Sequence, residues 1–426
     1  MNQVSNAGSP AAPTPTSAPV SASTSNTAAE AVAAITPAAP VGSANLGSAH
    51  PVVLPASINE AALDALCSAI QATWVASDYG PTLSTLSGLP LTKDWIDSFF
   101  APITELGVLT VKGADAKTFL QGQLTNDIAS IAIGQTLLAG YCTAKGRLLA
   151  TMQVVRDADD SYALLISRPL AVALRKRLAM YVMRSKCIVT DLSDQLLVIG
   201  LVGAPARARS LCAAANAIIF DAVDLPTVAD LSAVTDAVAS AKQRYLACVG
   251  VEHAPGLIAD LKTGSADNGS ANSGSVNSGS VNSGSVKSVP PRDAALWRWT
   301  DCRAGQPLII AQTSELFVPQ MINLELVNGV SFKKGCYPGQ EVVARSHYLG
   351  KLKRRMFLGH SDWAPVPGSD VMAAGASEPV GQVVMAGPHP NGGFDCLFES
   401  QIEAARNAPL MVSDQVLTRI ELPYAL

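Results

Sequence analysis

The residue types that could do chemistry are most concentrated in one short turn, with the sequence Lys333-Lys334-Gly335-Cys336-Tyr337-Pro338-Gly339-Gln340-Glu341. Its two glycines allow a positive φ or a close backbone approach, and Pro338 stiffens the chain between them. A helix is predicted to begin at Gln340, because acidic Glu341 suits the positive end of a helix dipole and Arg345 lies one turn further on. A thiol beside lysines and near a helix N-terminus favours the reactive thiolate. Cys336 is therefore a candidate reactive thiol, with burial as a small apolar residue as the alternative.

The remaining cysteines and the histidines have no spacing typical of a metal site. Eight cysteines are scattered along the chain without a CxxC pair, and the five histidines are equally dispersed. This pattern predicts separate reduced thiols rather than a disulfide framework. Zinc and iron–sulfur sites both need ligand spacings that are missing here, so we predict no stable metal.

The N-terminal part of the chain differs in composition from the rest. Residues 1–57 are almost entirely small or polar, with Glu30 as the single acid, and the first Lys or Arg is Lys93. Such a segment buries too little apolar surface to offset chain entropy and is predicted to be disordered. The missing N-terminal positive charge argues against a secretory or transit peptide. With no apolar run of 18 residues and a net charge of −4, we predict a cytoplasmic protein with no membrane association.

Patterning along the chain predicts the elements that must position the turn. Apolar residues at helical spacing predict one helix over 59–77. Residues 103–250 mix short strands, helices and hairpins, which fits an α+β domain better than a doubly wound sheet. Residues 264–288 repeat an Asn-Ser-Gly-Ser-Val unit and are predicted to form a flexible insert. Short apolar runs separated by Gly and Pro after residue 355 predict a small β-barrel.

A basic run follows the turn. Between residues 331 and 355, seven lysines and arginines stand against one acid. The end of this run, Lys351, Lys353, Arg354 and Arg355, is a candidate contact for phosphate, polyglutamate or RNA. An exposed hinge between domains is an equally good interpretation, because charge runs are usually solvated.

Several longer stretches resemble one protein family. These are Phe317 to Leu324, Gly329 to Phe332 and the cysteine turn through Arg345; upstream, Gly113 to Asp127 and Cys142 to Arg147; and at the end, Ile420 to Tyr424. Together they resemble the YgfZ family of folate-binding relatives of the glycine-cleavage T-protein, an aminomethyltransferase. The resemblance extends over roughly residues 100–426 and is broken only by the Asn/Ser/Gly insert.

The resemblance implies a T-protein-like α+β fold of several subdomains, with mostly antiparallel sheets and a small C-terminal β-barrel. With the composition, it divides the chain into a disordered Ala/Ser/Pro-rich tail (1–57), an N-terminal extension with a helix (58–98), a folate-binding T-protein-like domain carrying the insert 264–288 (99–355) and the barrel (356–426).

The resemblance also implies a site. Tetrahydrofolate or a related folate would bind in a central opening near the cysteine turn, contacting Trp297, Leu106, Tyr337 and Gln340. Leu106 replaces an aromatic residue of better-known members, which reduces stacking and keeps an apolar surface. Cys336 would act as a reactive thiol or a transient sulfur or cluster ligand, with Lys334 or Arg345 stabilising its thiolate and Glu341 fixing the turn.

Three functions follow from these expectations. The first is a folate-dependent accessory factor for iron–sulfur enzymes, iron–sulfur cluster assembly or repair, and tRNA modification. The second is a folate-dependent aminomethyl- or methyltransferase, but the stretch Tyr162 to Arg168 lacks the carboxylate that the T-protein relatives use there. The third is a non-catalytic RNA-contacting module that uses the basic run.

Overall fold

The computed structural model describes residues 60–85, 98–203, 206–222, 243–263, 289–348, 350 and 352–426. The predicted disordered tail, the 264–288 insert, part of the N-terminal extension and Lys351 lie outside the described residues.

Eight α-helices are present among the described residues: α1 (Glu60–Ile70), α2 (Ala116–Gln121), α3 (Arg168–Val182), α4 (Ala206–Ala214), α5 (Ala254–Thr263), α6 (Ala294–Arg303), α7 (Gln340–Tyr348) and α8 (Ile402–Asn407). None of these helices is both long and apolar enough to cross a lipid bilayer.

The strands of the described part are β1 (Ala72–Val75), β2 (Thr82–Thr85), β3 (Phe99–Pro102), β4 (Leu106–Lys112), β5 (Thr136–Cys142), β6 (Leu148–Ala158), β7 (Ser161–Ser167), β8 (Ile188–Asp191), β9 (Leu196–Val202), β10 (Ile218–Asp221), β11 (Arg244–Gly250), β12 (Arg354–Ser361), β13 (Asp370–Ala373), β14 (Gly381–Pro388), β15 (Phe394–Gln401), β16 (Leu410–Val412) and β17 (Gln415–Ile420).

These strands form two sheets, a closed barrel and a short hairpin of β1 with β2. One sheet has the order β5-β6-β7-β4-β8, the second has the order β10-β11-β9-β3, and the barrel runs β12-β15-β14-β13-β16-β17. Each pairing between these strands is antiparallel. The predicted α+β class with a C-terminal barrel is confirmed.

The two sheets pack face to face, as the alternation of side chains along β4 makes clear. Leu106 and Val108 pack in a core with residues of β9 and β11, whereas Leu109 and Val111 pack against α2 and α3. Because successive side chains of a strand point to opposite faces, β4 is apolar on both sides. The opposite face of the second sheet is covered by α1, α4 and α5.

Helix α6 contacts both the sheets and the barrel. Leu296, Trp297 and Trp299 belong to the core between the sheets, while Cys302 belongs to a core shared with barrel residues. Barrel strand β14 passes so close that a Cβ on Gly387 would lie 2.3 Å from the backbone nitrogen of Trp299. Only a residue without a side chain permits this approach.

The prediction of one helix over 59–77 is wrong in its second half. The helix ends at Ile70, Gln71 has φ +54, and residues 72–75 pair with β2. The sequence Ala-Thr-Trp-Val is rich in β-branched and aromatic residues, which favour strands. Trp74 therefore packs on the core from a strand.

Candidate functional site

The helical periodicity of α6 places its side chains on two faces that have different neighbours. Residues four apart lie on one face of a helix, so Trp297 and Asp301 share the face that lines a small cavity between the sheets. Trp299 and Arg303 share another face, where the Trp299 indole donates to Asp395 Oδ2 (2.8 Å) and Arg303 lies 3.5 Å from the same oxygen. Trp299 thus points away from the cavity.

The cavity brings together two residues that the sequence singled out. Trp297 and Leu106 both line it, with an otherwise largely apolar wall that includes Leu138, Met152, Leu165, Leu246, Pro307 and Leu308. Its volume is about 30 Å³, enough for about one or two water molecules. Pockets for drug-sized ligands measure about 300–1,000 Å³, so a pterin would require the lining side chains to move.

Polar groups at the cavity were missed by sequence reasoning. Gln153 lines it, and its buried Oε1 accepts no hydrogen bond from any described residue. Asp301 forms an ion pair with Arg244 Nη1 at 2.8 Å, and burial raises the pKa of Asp301 while Arg244 opposes that rise. The Arg244 guanidinium also lies 4.9 Å from the centre of the Trp297 ring, a cation–π contact that fixes the indole.

The chemical character of this lining, as distinct from its present volume, suits a pterin. A pterin presents a flat apolar face with an edge of ring N–H and amino donors, and it needs an aromatic or apolar wall with a few directed polar groups. Trp297 and Leu106 provide the wall. The unpartnered Gln153 oxygen and the Asp301 carboxylate provide acceptors for the donor edge.

The sulfur of the cysteine turn is accessible. Cys336 is the exposed member of the eight cysteines, all of which are described; Cys67 is half-buried and the other six are buried. The alternative of a buried Cys336 is therefore excluded.

Lys334 anchors the turn from below. It is 9% exposed, and its Nζ donates to the carbonyl oxygens of Gln121 and Leu124 at the C-terminal end of α2, where a cation is favoured. Burial lowers the pKa of Lys334 to about 8, opposed by the charges of Asp127 and Cys336. Its amine is directed into the fold, onto these two carbonyl oxygens.

Tyr337 and Gly339 dock the turn on the hairpin between β5 and β6. Tyr337 is buried, and the Lys334 amine lies 5.0 Å from the centre of the Tyr337 ring. Burial raises the pKa of the Tyr337 hydroxyl. Gly339 has φ +79, and a Cβ there would lie 2.4 Å from the Thr143 carbonyl oxygen. The turn is thus held by direct backbone contact.

Helix α7 begins at Gln340, as predicted from the sequence. Glu341 lies in its first turn and Arg345 in its last, and both side chains are exposed. Gln340 is half-buried. The structure therefore presents Cys336, Glu341 and Arg345 on the surface.

The cavity and the cysteine turn are two neighbouring regions. No residue of the turn, including Tyr337 and Gln340, lines the Trp297 cavity. Strand β5 connects them, since Leu138 lines the cavity and Cys142 ends the strand at the hairpin turn that Gly339 contacts. At about 3.4 Å per residue, residues 138 and 142 are about 14 Å apart along the strand.

Two of the three described cations at the end of the basic run, Arg354 and Arg355, form ion pairs within the fold. Arg355 is 9% exposed, pairs with Glu325, and donates to the Gln320 carbonyl at 3.0 Å. Arg354 pairs with Glu399 in the barrel. Both arginines thus form ion pairs with buried carboxylates, so the prediction that Arg355 contacts a partner is wrong. Lys353 is the exposed cation in the described part of the run.

No group of three His, Cys, Asp or Glu side chains is arranged as metal ligands among the residues that the structure describes.

Comparison with known proteins first gives the class of the fold. A family model for the GCVT N-terminal domain matches residues 101–229. The crystal structure of glycine cleavage system aminomethyltransferase T from Bartonella henselae aligns with a TM-score of 0.57 at 15% identity, covering 85% of this chain and 97% of its own. The chain therefore has the fold of the glycine-cleavage T-protein.

Two sequence relatives then show which family the chain resembles within that class. The tRNA-modifying protein YgfZ of Pectobacterium carotovorum subsp. carotovorum (strain PC1) is 29% identical over 284 residues, which is 66% of this chain and 77% of that protein. The tRNA-modifying protein YgfZ of Colwellia psychrerythraea (strain 34H / ATCC BAA-681) is 27% identical over 354 residues, which is 81% of this chain and 99% of that protein. The resemblance to the YgfZ family is confirmed.

Proposed function

We propose that this chain is a folate-binding accessory protein that supports tRNA modification and the iron–sulfur enzymes that carry it out. The names of its relatives supply the link to tRNA modification. The observation that carries the proposal is the cavity wall of Trp297 and Leu106 beside the unpartnered oxygen of Gln153. Tetrahydrofolate, a carrier of one-carbon units, would be the bound form.

The roles of the residues follow from their surroundings. Trp297 would stack on the pterin, held by Arg244 behind it, and Gln153 and Asp301 would accept hydrogen bonds from its donor edge. Cys336, exposed on the anchored turn, would act as the reactive thiol or transient sulfur or cluster ligand. We assign Lys334 to positioning the turn. In helix α7, which follows the thiol, Glu341 would fix the turn and Arg345 would stabilise the thiolate.

A titration with tetrahydrofolate followed by tryptophan fluorescence tests the folate site. We expect quenching that is lost in Trp297→Phe, and Gln153→Met should weaken binding about five- to tenfold, the worth of one hydrogen bond. Gln415→Met, at an exposed position of β17, is the matched control. Equal affinities of the Gln153 and Gln415 variants would reject the assignment.

One observation favours a second candidate, a folate-dependent aminomethyl- or methyltransferase. Asp301 places a carboxylate on the cavity, whereas sequence reasoning found no acid in the stretch Tyr162 to Arg168. The ion pair with Arg244 engages one oxygen of that carboxylate, Oδ1, and stabilises its charged form, which favours accepting a hydrogen bond over acid–base chemistry. Turnover with tetrahydrofolate and a methylamine donor would decide for the transferase.

A further inference from the structure

Three aromatic rings form a cluster on the surface beside the cysteine turn. Phe332 and His347 stack with ring centres 3.8 Å apart and planes 14° apart. Tyr348 stands nearly perpendicular to both, 4.8 Å from His347 and 6.0 Å from Phe332. We call these three residues the aromatic platform.

The platform is ordered yet open to solvent. Tyr348 is 67% exposed and His347 is also exposed, while Phe332 is half-buried beneath them. Rings in a core are covered on every side, whereas Tyr348 combines two edge contacts with His347 and Phe332 with an exposed surface. A flat apolar surface fixed in this way loses little conformational freedom when another ring stacks on it.

The platform shares its surface with Cys336. Phe332 precedes the cysteine by four residues, so the two lie at most about 14 Å apart along the chain. His347 and Tyr348 end helix α7, which begins four residues after the cysteine. A partner stacked on the platform would therefore lie near the exposed thiol.

Three exposed cations belong to the segments that carry the platform or pack on its helix. Lys333 adjoins Phe332, and Arg345 lies in the last turn of α7. Lys145 belongs to the hairpin turn that packs on the helix start, where a Cβ on Gly146 would lie 3.0 Å from the Cβ of Val342. Glu341 is the acid of the helix start.

We propose that the aromatic platform binds an unpaired nucleotide of RNA, with a base on Tyr348 and neighbouring phosphates near Lys333, Arg345 and Lys145. Every base has a face that can stack on an aromatic ring, and cations guide the backbone of a single strand. Bases inside a duplex have no free face, so paired RNA fits less well. The choice of RNA rests on the proposed role in tRNA modification.

The experiment measures binding of a fluorescein-labelled unpaired oligoribonucleotide of about ten nucleotides to the full chain by fluorescence anisotropy. Loss of one stacked base is expected to weaken binding about tenfold in Tyr348→Leu, whereas Tyr348→Phe should keep the affinity. The slope of log K against log salt should be about −2 for three phosphate contacts. Tyr181→Leu is the matched control, since Tyr181 is 48% exposed near the end of α3.

The outcomes separate this proposal from the folate proposal. Equal affinities of Tyr348→Leu and Tyr181→Leu, or equal binding of the oligonucleotide and its duplex, would overturn the platform. If no RNA binds while tetrahydrofolate still quenches Trp297, the platform is rejected and the folate site stands. If RNA binding depends on Tyr348 but tetrahydrofolate does not bind, the platform stands without the folate site.

Discussion

At the scale of single residues, the contrast between Cys336 and Lys334 defines the turn. The sulfur faces solvent, while the amine two residues before it is directed onto the carbonyls that end α2. One residue is available for chemistry and the other holds it in place.

Replacing Cys336 by Ser should separate function from folding. Because the side chain is exposed, we expect an unchanged free energy of unfolding and unchanged quenching by tetrahydrofolate. Support of iron–sulfur-dependent tRNA modification should be lost, as measured by modified-nucleoside content in a complemented deletion strain. Cys67→Ser, at a half-buried cysteine, should keep that support, and full activity of the Cys336 variant would contradict its role.

Lys334 should make stability depend on pH. Its pKa is lowered to about 8 by burial, whereas an unfolded lysine titrates near 10.4. Between these values the unfolded chain binds more protons than the native one, so the free energy of unfolding should rise with pH from about 8 to 10.5. Urea unfolding should show that the free energy of unfolding rises more steeply with pH for the native sequence than for Lys334→Met. Parallel pH profiles of the two proteins would argue against a lowered pKa of Lys334.

At the scale of elements, the turn is positioned by its contact with the β5–β6 hairpin. Gly339 has φ +79, and its backbone lies against Thr143 and Gly146. Four residues earlier, Gly335 has open space around the position of a Cβ. Position 339 therefore requires glycine, whereas position 335 has room for a side chain.

Gly339→Ala should destabilise the protein and Gly335→Ala should not. A left-handed conformation costs a non-glycine residue about 1–2 kcal/mol, and displacing the hairpin adds about 1–3 kcal/mol. Urea midpoints of the two variants measure the difference. Similar midpoints would mean that the turn is not fixed by this contact.

Sequence patterning predicted elements better than it predicted the site. The hairpin of β5 and β6, helix α7 and the barrel follow from local apolar periods and turn residues. Arg244 and Asp301 could not be paired in this way, because they are 57 residues apart and meet only through packing. Asp301 lies at i+4 from Trp297, a signal that would be visible only once that segment was assigned to a helix.

At the scale of the whole molecule, buried ion pairs attach the barrel to the rest of the described structure. Arg355 begins the barrel in β12 and pairs with Glu325, whose side chain is 6% exposed. The next residue of that strand, Met356, accepts a 2.8 Å hydrogen bond from Asn323 Nδ2. Arg355, which the sequence places in a solvated basic run, thus helps to connect the barrel to the rest of the described structure.

Arg355→Met should destabilise the protein by about 3–5 kcal/mol, because it leaves the Glu325 carboxylate buried without its cation. Lys353→Met, two residues earlier and exposed, should change the free energy of unfolding by less than about 0.5 kcal/mol. Chemical denaturation followed by circular dichroism compares them. A stable Arg355 variant would show that Glu325 finds another partner.

Helix α6 carries one further implication. Its indole at 297 edges the cavity, whereas Trp299 meets the barrel at two points: its indole donates to Asp395, and its backbone lies against Gly387 of β14. The C-terminal barrel therefore supports the cavity, because its residues hold the helix that carries Trp297. A fragment cut before β12 would lose both of these contacts, so the helix that carries Trp297 would be less firmly held.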